Sequence, residues 1–567
     1  MKHYYTDEKN TLILISLLKQ HNIRKVIASP GTTNISFVGS IQFDPFFEVY
    51  SAVDERAAAF MACGLAEESG EPVVLTCTGA TASRNYVPGL TEAFYRKLPV
   101  LAVTSSQHEG RIGNYVAQML DRSGQFSDMV KMSVQARTVY SSEDEENMVT
   151  SINNALLELT HNTPGPVHIN LYTTYSNNFV VEELPKYRVI RRVKEDGYPD
   201  LPKGKIGIFV GAHAAFSDEE TAAIDAFCES NNAIVICDQI SNYRGKYRFL
   251  TSFVNNQPVD LGTKKFDLLI YIGSVHGAYM SFSGKQLWRV NPDGVIRDPY
   301  RNLTYVFEMD EINFFKHYAT GENNNTIKEL CDKASEAAIK KIPELPFSNM
   351  WIAQQTASKI PSESILHLSI LNTLRVWNYF ETDKAILCYT NSGGYGIDGC
   401  LSSFLGSATV NPEKEHYMII GDLAFFYDMG ALFNKIPSNV HIMLINNGVG
   451  TEFKNYNHRA SYFGEEANDF MAAKGHNGFK NENLVKELCD KREIAYYSAS
   501  DKKSYLSVIS NWLNKGSGPI LLEVFTNDKD ESDALEIMNN ILVSDAVKAR
   551  VKRFVKRMKK RVKRHGK

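Results

Sequence analysis

Cysteine is sparse and nowhere paired in this chain of 567 residues. The eight (Cys63, Cys77, Cys228, Cys237, Cys331, Cys388, Cys400 and Cys489) are scattered, with no Cys-x-x-Cys and no histidine pair at metal-binding spacing. Reduced, packed thiols are expected, and neither a disulfide framework nor a structural zinc. No apolar run approaches the roughly 18 residues that cross a bilayer. The start, Met1-Lys2-His3-Tyr4-Tyr5-Thr6, lacks the apolar core of a secretion signal, so a cytoplasmic protein is expected. The apolar runs also lack a glycine-rich dinucleotide fingerprint, which removes support for a nicotinamide cofactor. Acidic residues are absent from the last twenty positions, where twelve Lys or Arg stand between Lys548 and Lys567. The preceding body therefore carries −15 against −3 for the whole chain.

The hydrophobic share of 43% and charged share of 22% are those of a globular protein. The length is too great for one core and suggests about three domains. Short apolar runs alternate with helical segments, the pattern of parallel, doubly wound α/β sheets. The first block, 1–180, holds Lys25-Val26-Ile27-Ala28, Val73 to Cys77, Val100 to Thr104 and Pro166 to Leu171. A charged, proline-punctuated stretch, 181–205, reads as a linker. The second block, 206–341, contains Ile206 to Gly211, Ala233 to Asp238 and Leu268 to Gly273, and the third, 350–543, ends at the strand Pro519 to Phe525. Three doubly wound parallel-sheet domains are thus expected, followed by a tail, 544–567.

Within the third block, Ile419-Ile420-Gly421-Asp422-Leu423 and Ile442 to Ile445 followed by Asn446-Asn447-Gly448 read as buried strands whose carboxyl ends open into loops. Open α/β sheets bind ligands there. Asp422 and Asn447, 25 residues apart, would face one crevice with hard oxygen ligands, the kind Mg²⁺ takes together with phosphate oxygens and water. Alone, the two runs also fit ordinary strands ending in Asp and Asn-Gly turns. In the first block, Asp54-Glu55-Arg56-Ala57-Ala58 opens a helix with acids in its first turn. That pattern complements a helix dipole, or it presents Glu55 as a functional carboxylate.

Taken with Ser29-Pro30-Gly31, Cys77-Thr78, Thr81-Ala82, Gly396-Ile397-Asp398-Gly399, Leu401-Ser402 and Tyr427-Asp428, these segments resemble the thiamine diphosphate enzymes of the pyruvate-oxidase-like group. Among them they are most similar to the 2-succinyl-5-enolpyruvyl-6-hydroxy-3-cyclohexene-1-carboxylate synthases of menaquinone biosynthesis. The resemblance implies thiamine diphosphate and Mg²⁺ as cofactors, with 1–180 binding the pyrimidine and 350–543 the diphosphate. It makes Glu55 the carboxyl that shares a proton with the aminopyrimidine, and Asp422, Asn447 and the Val449 carbonyl the metal shell. Ile397 would prop the bent cofactor, and Gln118 would line the reaction centre. Asn372-Thr373, Thr81, Gly421, Leu423 and Gly448 would touch the cofactor. A homodimer or homotetramer is implied, because the pyrimidine block of one subunit meets the diphosphate block of another.

Four arginines that hold polyanionic substrates in that family are replaced. Thr32-Thr33 stands for Ser-Arg, Ser106-Gln107-His108 for Asp-Arg-Pro, Trp377 for Arg, and Asn391-Ser392-Gly393 for Asn-Arg-Gly. Losing a bidentate arginine from a carboxylate site costs about 2–5 kcal/mol. Gln107, His108, Trp377, Ser392, Tyr395 and Thr33 would form a less cationic substrate pocket, although Arg84, Arg111 and Arg122 are placed to return some charge. Decarboxylation of a 2-oxo acid with transfer of the acyl anion to a carbonyl acceptor is expected, with negligible menaquinone-pathway activity. A product for glycan, unusual-sugar or secondary-metabolite synthesis would suit that pocket. Alternatives are the menaquinone synthase acting on 2-oxoglutarate and isochorismate, a simple decarboxylase, and a catalytically silent scaffold. Carboligation is favoured over aldehyde release because no His-His pair of simple decarboxylases is present.

In the tail, Val547, Val551, Phe554, Val555, Met558 and Val562 recur every three or four residues among Lys and Arg. A basic amphipathic helix on the inner, anionic membrane surface fits this pattern, and so does a solvated terminal extension. No nucleic-acid recognition fold accompanies it.

Overall fold

Buried strands with both faces covered by helices should read as unbroken apolar runs, and the long runs of this chain do form such strands. The computed structural model describes residues 4–277, 279, 281–321, 323–476 and 482–543. The expected amphipathic tail lies outside the described residues. The chain divides into two compact units, residues 1–199 with 286–309 and residues 200–285 with 310–567.

In the first unit, six parallel strands run in the order Glu48–Ser51, Lys25–Ala28, Val73–Cys77, Val100–Ser106, Val167–Tyr172 and Met132–Ala136. The three strands Val73–Cys77, Val100–Ser106 and Val167–Tyr172 are buried from end to end. Helix Lys9–Gln20 packs Ile13, Leu14, Leu17 and Leu18 into one core of the unit. Helix Glu55–Ser69 packs Ala58, Ala59, Ala62 and Ala66 into another. Small side chains let its neighbour, helix Val87–Arg96, come close: a Cβ on Gly89 would lie 2.4 Å from that of Ala59. The helix starts where the Asp54 carboxylate accepts the Ala57 N–H, and it stops at Gly70, whose φ of +66° suits a glycine.

The second unit holds two parallel arrays. One runs Arg248–Leu250, Ala233–Cys237, Ile206–Val210, Lys265–Ile272. The other is six-stranded, in the order Leu387–Tyr389, Ile365–Leu368, His416–Gly421, Val440–Asn446, Ile520–Phe525, Ala495–Ala499. Registering Gly421 against Ile445 brings the carboxyl ends of the two middle strands side by side.

Sequence reading passes over Glu48–Ser51, Met132–Ala136, Leu387–Tyr389 and Ala495–Ala499. All four are sheet edges, half-solvated and therefore without a long apolar run. The stretch expected as a linker also differs. Arg191–Val193 is a strand paired with Leu303–Phe307, Ile190 is buried, and Arg188 bridges Asp298 at 3.0 Å and Glu146 at 3.2 Å. Its charges are partners in packing, which made the segment look solvated. All eight cysteines are buried. No helix among the described residues is long and apolar enough to cross a membrane.

Candidate active site

The side-by-side strand ends deliver Asp422 and Asn447 to one crevice. Asp422 is 3% exposed. Its Oδ1 accepts the Leu423 N–H at 2.8 Å and its Oδ2 the Gly448 N–H at 2.6 Å, so one carboxylate ties both loops together. Gly448 takes φ +75° to turn its amide inward, a conformation glycine adopts without strain. Asn447 Oδ1 accepts the Val449 N–H at 3.3 Å. A cavity of about 140 Å³ follows, lined by Asp422, Leu423, Asn447 and Val449, with Asn372, Thr373 and Ile397 also on its wall. A side chain added at Gly421 would meet nothing within 4 Å, so backbone there is open to a bound group.

Donor chemistry decides what fits. A carboxylate, an amide oxygen and main-chain carbonyls make an oxygen set suited to Mg²⁺. The buried Asp422 has no Lys or Arg within 4.0 Å among the described residues and only His476, at 3.2 Å, as an ionic neighbour. Such a charge is costly to bury without a cation. Asn372, with its amide oriented so that each atom meets a complementary partner, donates to Glu452 Oε2 at 2.7 Å and accepts the Glu452 N–H at 2.7 Å. Leu371, at φ +70°, strains the backbone just before it, as residues at functional sites often do.

Two groups escape sequence reading. Glu531 lines the same cavity. Burial first, and then the charge of Asp422, pushes its carboxyl up to about 7. Its oxygens accept the Asn349 N–H at 3.0 and 3.1 Å and the Thr526 hydroxyl at 2.6 Å. Arg375 pairs with Glu452 at 2.5 Å and lies 4.3 Å over the Tyr279 ring. Neither belongs to a local motif, so no spacing signals it.

Some expected pocket residues stand elsewhere. Trp377 is fully buried in the core and does not line the cavity; its indole N–H donates to Asn349 Oδ1 at 3.1 Å. Ser392 is buried, and the Tyr395 hydroxyl donates to the His276 and Gly277 carbonyls at 3.2 and 3.1 Å. Neither lines the 140 Å³ cavity.

In the first unit, Glu55 is the first residue of its helix, half-buried, with no hydrogen bond or ion pair among the described residues. Gln118 is exposed at φ +63°, and Thr81 is exposed as well. Thr33 is buried, its hydroxyl 2.8 Å from that of Thr78 and 3.1 Å from the Gly79 N–H that it accepts. That hydroxyl and the Arg122 guanidinium both donate to the Ser105 carbonyl, at 3.3 and 2.9 Å. Arg122 is 2% exposed, and its Nε and Nη1 have no partner among the described residues. Burial holds it below the usual arginine range. Gln107 accepts from Arg111 and donates to the Tyr175 hydroxyl at 2.7 Å. His108 lines a separate cavity of about 310 Å³ with Arg137 and Tyr172.

Residues 10–125 match the N-terminal thiamine pyrophosphate binding domain of thiamine pyrophosphate enzymes. A 2-succinyl-5-enolpyruvyl-6-hydroxy-3-cyclohexene-1-carboxylate synthase of Bacteroides thetaiotaomicron is 32% identical over 79% of this chain and 84% of its own. The chain belongs to the thiamine pyrophosphate enzymes. Synthases of the same name from Bacteroides fragilis and Phocaeicola vulgatus are 29% and 28% identical to this thiamine pyrophosphate enzyme, each over 94% of the chain and 98% of the relative. Its parallel sheets with flanking helices are the α/β architecture the family resemblance implies.

Proposed function

We propose that this enzyme decarboxylates a 2-oxo acid and transfers the remaining acyl unit to an acceptor carbonyl. The observation that carries the reading is the Asp422 carboxylate joining two adjacent strand ends into an oxygen-lined crevice. Thiamine diphosphate, when bound, would supply the carbon centre that accepts and stabilises the charge left by carbon dioxide loss. Asp422, Asn447 and the Val449 carbonyl would hold Mg²⁺. Asn372, Thr373, Gly421, Leu423 and Gly448 would seat the diphosphate, and Ile397 would fill the space that keeps the cofactor bent. Glu55 would hold the shared proton, and Gln118 and Thr81 would lie at the reacting end. The proposed division is a pyrimidine-binding domain, 1–180, a central domain, 206–341, and a diphosphate-binding domain, 350–543.

Two arginines support a carboxylate-bearing donor. Where the family has arginine at positions 33 and 107, this chain returns a guanidinium to the Ser105 carbonyl from Arg122 and to Gln107 from Arg111. A buried guanidinium with two unmatched nitrogens favours an anion. Arg122→Gln should raise KM for the 2-oxo acid about tenfold with kcat less changed; an unaltered KM would separate Arg122 from donor binding.

The second reading is the 2-succinyl-5-enolpyruvyl-6-hydroxy-3-cyclohexene-1-carboxylate synthase reaction, favoured by relatives of that name along most of both chains. The replaced arginines weigh against it. Carbon dioxide release from a panel of 2-oxo acids, with and without thiamine diphosphate and Mg²⁺, tests the shared chemistry. Product formation from 2-oxoglutarate and isochorismate decides between the readings, and no cofactor-dependent release from any acid would defeat both.

Exposed Val53, Phe60 and Met61 around Glu55 support a second copy of the chain closing the site, in a homodimer or homotetramer. For the basic tail, contact with an anionic membrane is proposed. Flotation of the full chain with anionic but not neutral liposomes, lost on truncation after residue 543, would support it; equal flotation would not.

A further inference from the structure

A second cavity, of about 680 Å³, lies in the same unit and shares Asn372, Glu452 and Asn455 with the Asp422 crevice. Its size is that of a small-molecule site, roughly 300–1,000 Å³, in which a few placed polar groups orient the ligand. This one is walled by amides from separate elements. Asn256 follows the helix Thr251–Asn255, Asn457 lies in the segment after the strand Val440–Asn446, and Asn539 ends the helix Asp528–Asn539. Two of them are already oriented. Asn256 donates to the Tyr379 hydroxyl at 2.9 Å, which in turn donates to Asn539 Oδ1 at 2.5 Å. That network leaves Asn256 Oδ1 as an acceptor and Asn539 Nδ2 as a donor with no partner among the described residues. An amide offers donors and an acceptor together, as each hydroxyl of a sugar does, so such a wall matches a polyol.

Charge on the same wall is unevenly matched. Glu452 answers Arg375 at 2.5 Å. Lys264, whose ammonium donates to the Gln257 carbonyl at 2.5 Å, and exposed Arg459 have no ion-pair partner among the described residues. Glu536, exposed, is the only other acid on the lining among the described residues. Burial holds Lys264 below the usual lysine range, a condition that a bound anion would relieve. The lining therefore carries an excess of positive charge together with hydroxyl-matching amides.

We propose that this cavity binds a polyhydroxylated anion, a sugar bearing a phosphate or a carboxylate, with the amides on its hydroxyls and Lys264 and Arg459 on its charged group. The proposal does not depend on the thiamine diphosphate reading, because binding is measured without that cofactor or Mg²⁺.

Calorimetric titration of the full chain with glucose 6-phosphate, glucuronate, glucose and inorganic phosphate tests it. Saturable binding of one of the two anionic sugars is expected, about tenfold tighter than either glucose or phosphate alone. The preference between them identifies the anionic group. Arg459→Gln and Asn457→Ala, both at exposed positions, should each weaken that binding several-fold while leaving the melting temperature unchanged. Failure of both anionic sugars to saturate the protein at millimolar concentration would overturn the proposal, as would wild-type affinity in the double variant.

Discussion

Glu55 and Glu531 are carboxylates with opposite assignments. Glu55 stands at a helix start without a side-chain partner among the described residues, and sharing a proton with a bound base is the role proposed for it. Glu55→Gln should lower turnover by about 10²–10⁴-fold, the range of a lost proton-transfer group, while thiamine diphosphate with Mg²⁺ still binds by calorimetry; unchanged turnover would remove Glu55 from the chemistry. Glu531 is enclosed, and burial raises its carboxyl to about 7. Its ordinary value is about 4.5, so between there and 7 the folded chain holds a proton that the unfolded chain has released, and stability falls as pH rises through that window. In cofactor-free, magnesium-free protein, the wild-type melting temperature should drop more between pH 5 and pH 8 than that of Glu531→Gln. Parallel curves would show that Glu531 does not carry the pH dependence.

The helix Glu55–Ser69 shows how a local device sets the position proposed to be functional. Asp54 caps it by accepting the Ala57 N–H at 2.8 Å, which fixes Glu55 as the first helical residue. Asp54→Ala should cost about 1 kcal/mol, while Asp54→Asn, an equally good cap, should restore most of it. Comparing thermal unfolding of the two variants checks this, and equal losses would mean that the charge matters rather than the cap. The cap and the stopping glycine lie in consecutive sequence, so this helix was readable in advance. The edge strands and the paired strand Arg191–Val193 were not, because their residues gain burial only from partners far along the chain.

The proposed assembly draws on the surface around Glu55. Val53, Phe60 and Met61 are 80%, 47% and 43% exposed, an arrangement that a soluble chain covers with a partner when the residues form one patch. Phe60→Glu should shift the protein toward monomer in sedimentation velocity and lower turnover with it. A variant that sediments as the wild type would move the interface elsewhere.

Asp422 and Asn447 were legible because two apolar runs, each ending in a polar turn, encode their own strands and loops, and parallel pairing places such ends together; Leu423 and Val449 came from family likeness and line the same cavity. Ile397, Asn372 and Thr373 came from family likeness, and all three line the cavity. Trp377 was expected in the substrate pocket, but its ring packs into the core and its indole N–H bonds Asn349, a partner 28 residues away that no local pattern announces. Arg375 and Glu531 stayed hidden for a related reason. Each acquires its role from neighbours distant in sequence, and only the folded chain removes the water that would otherwise solvate them.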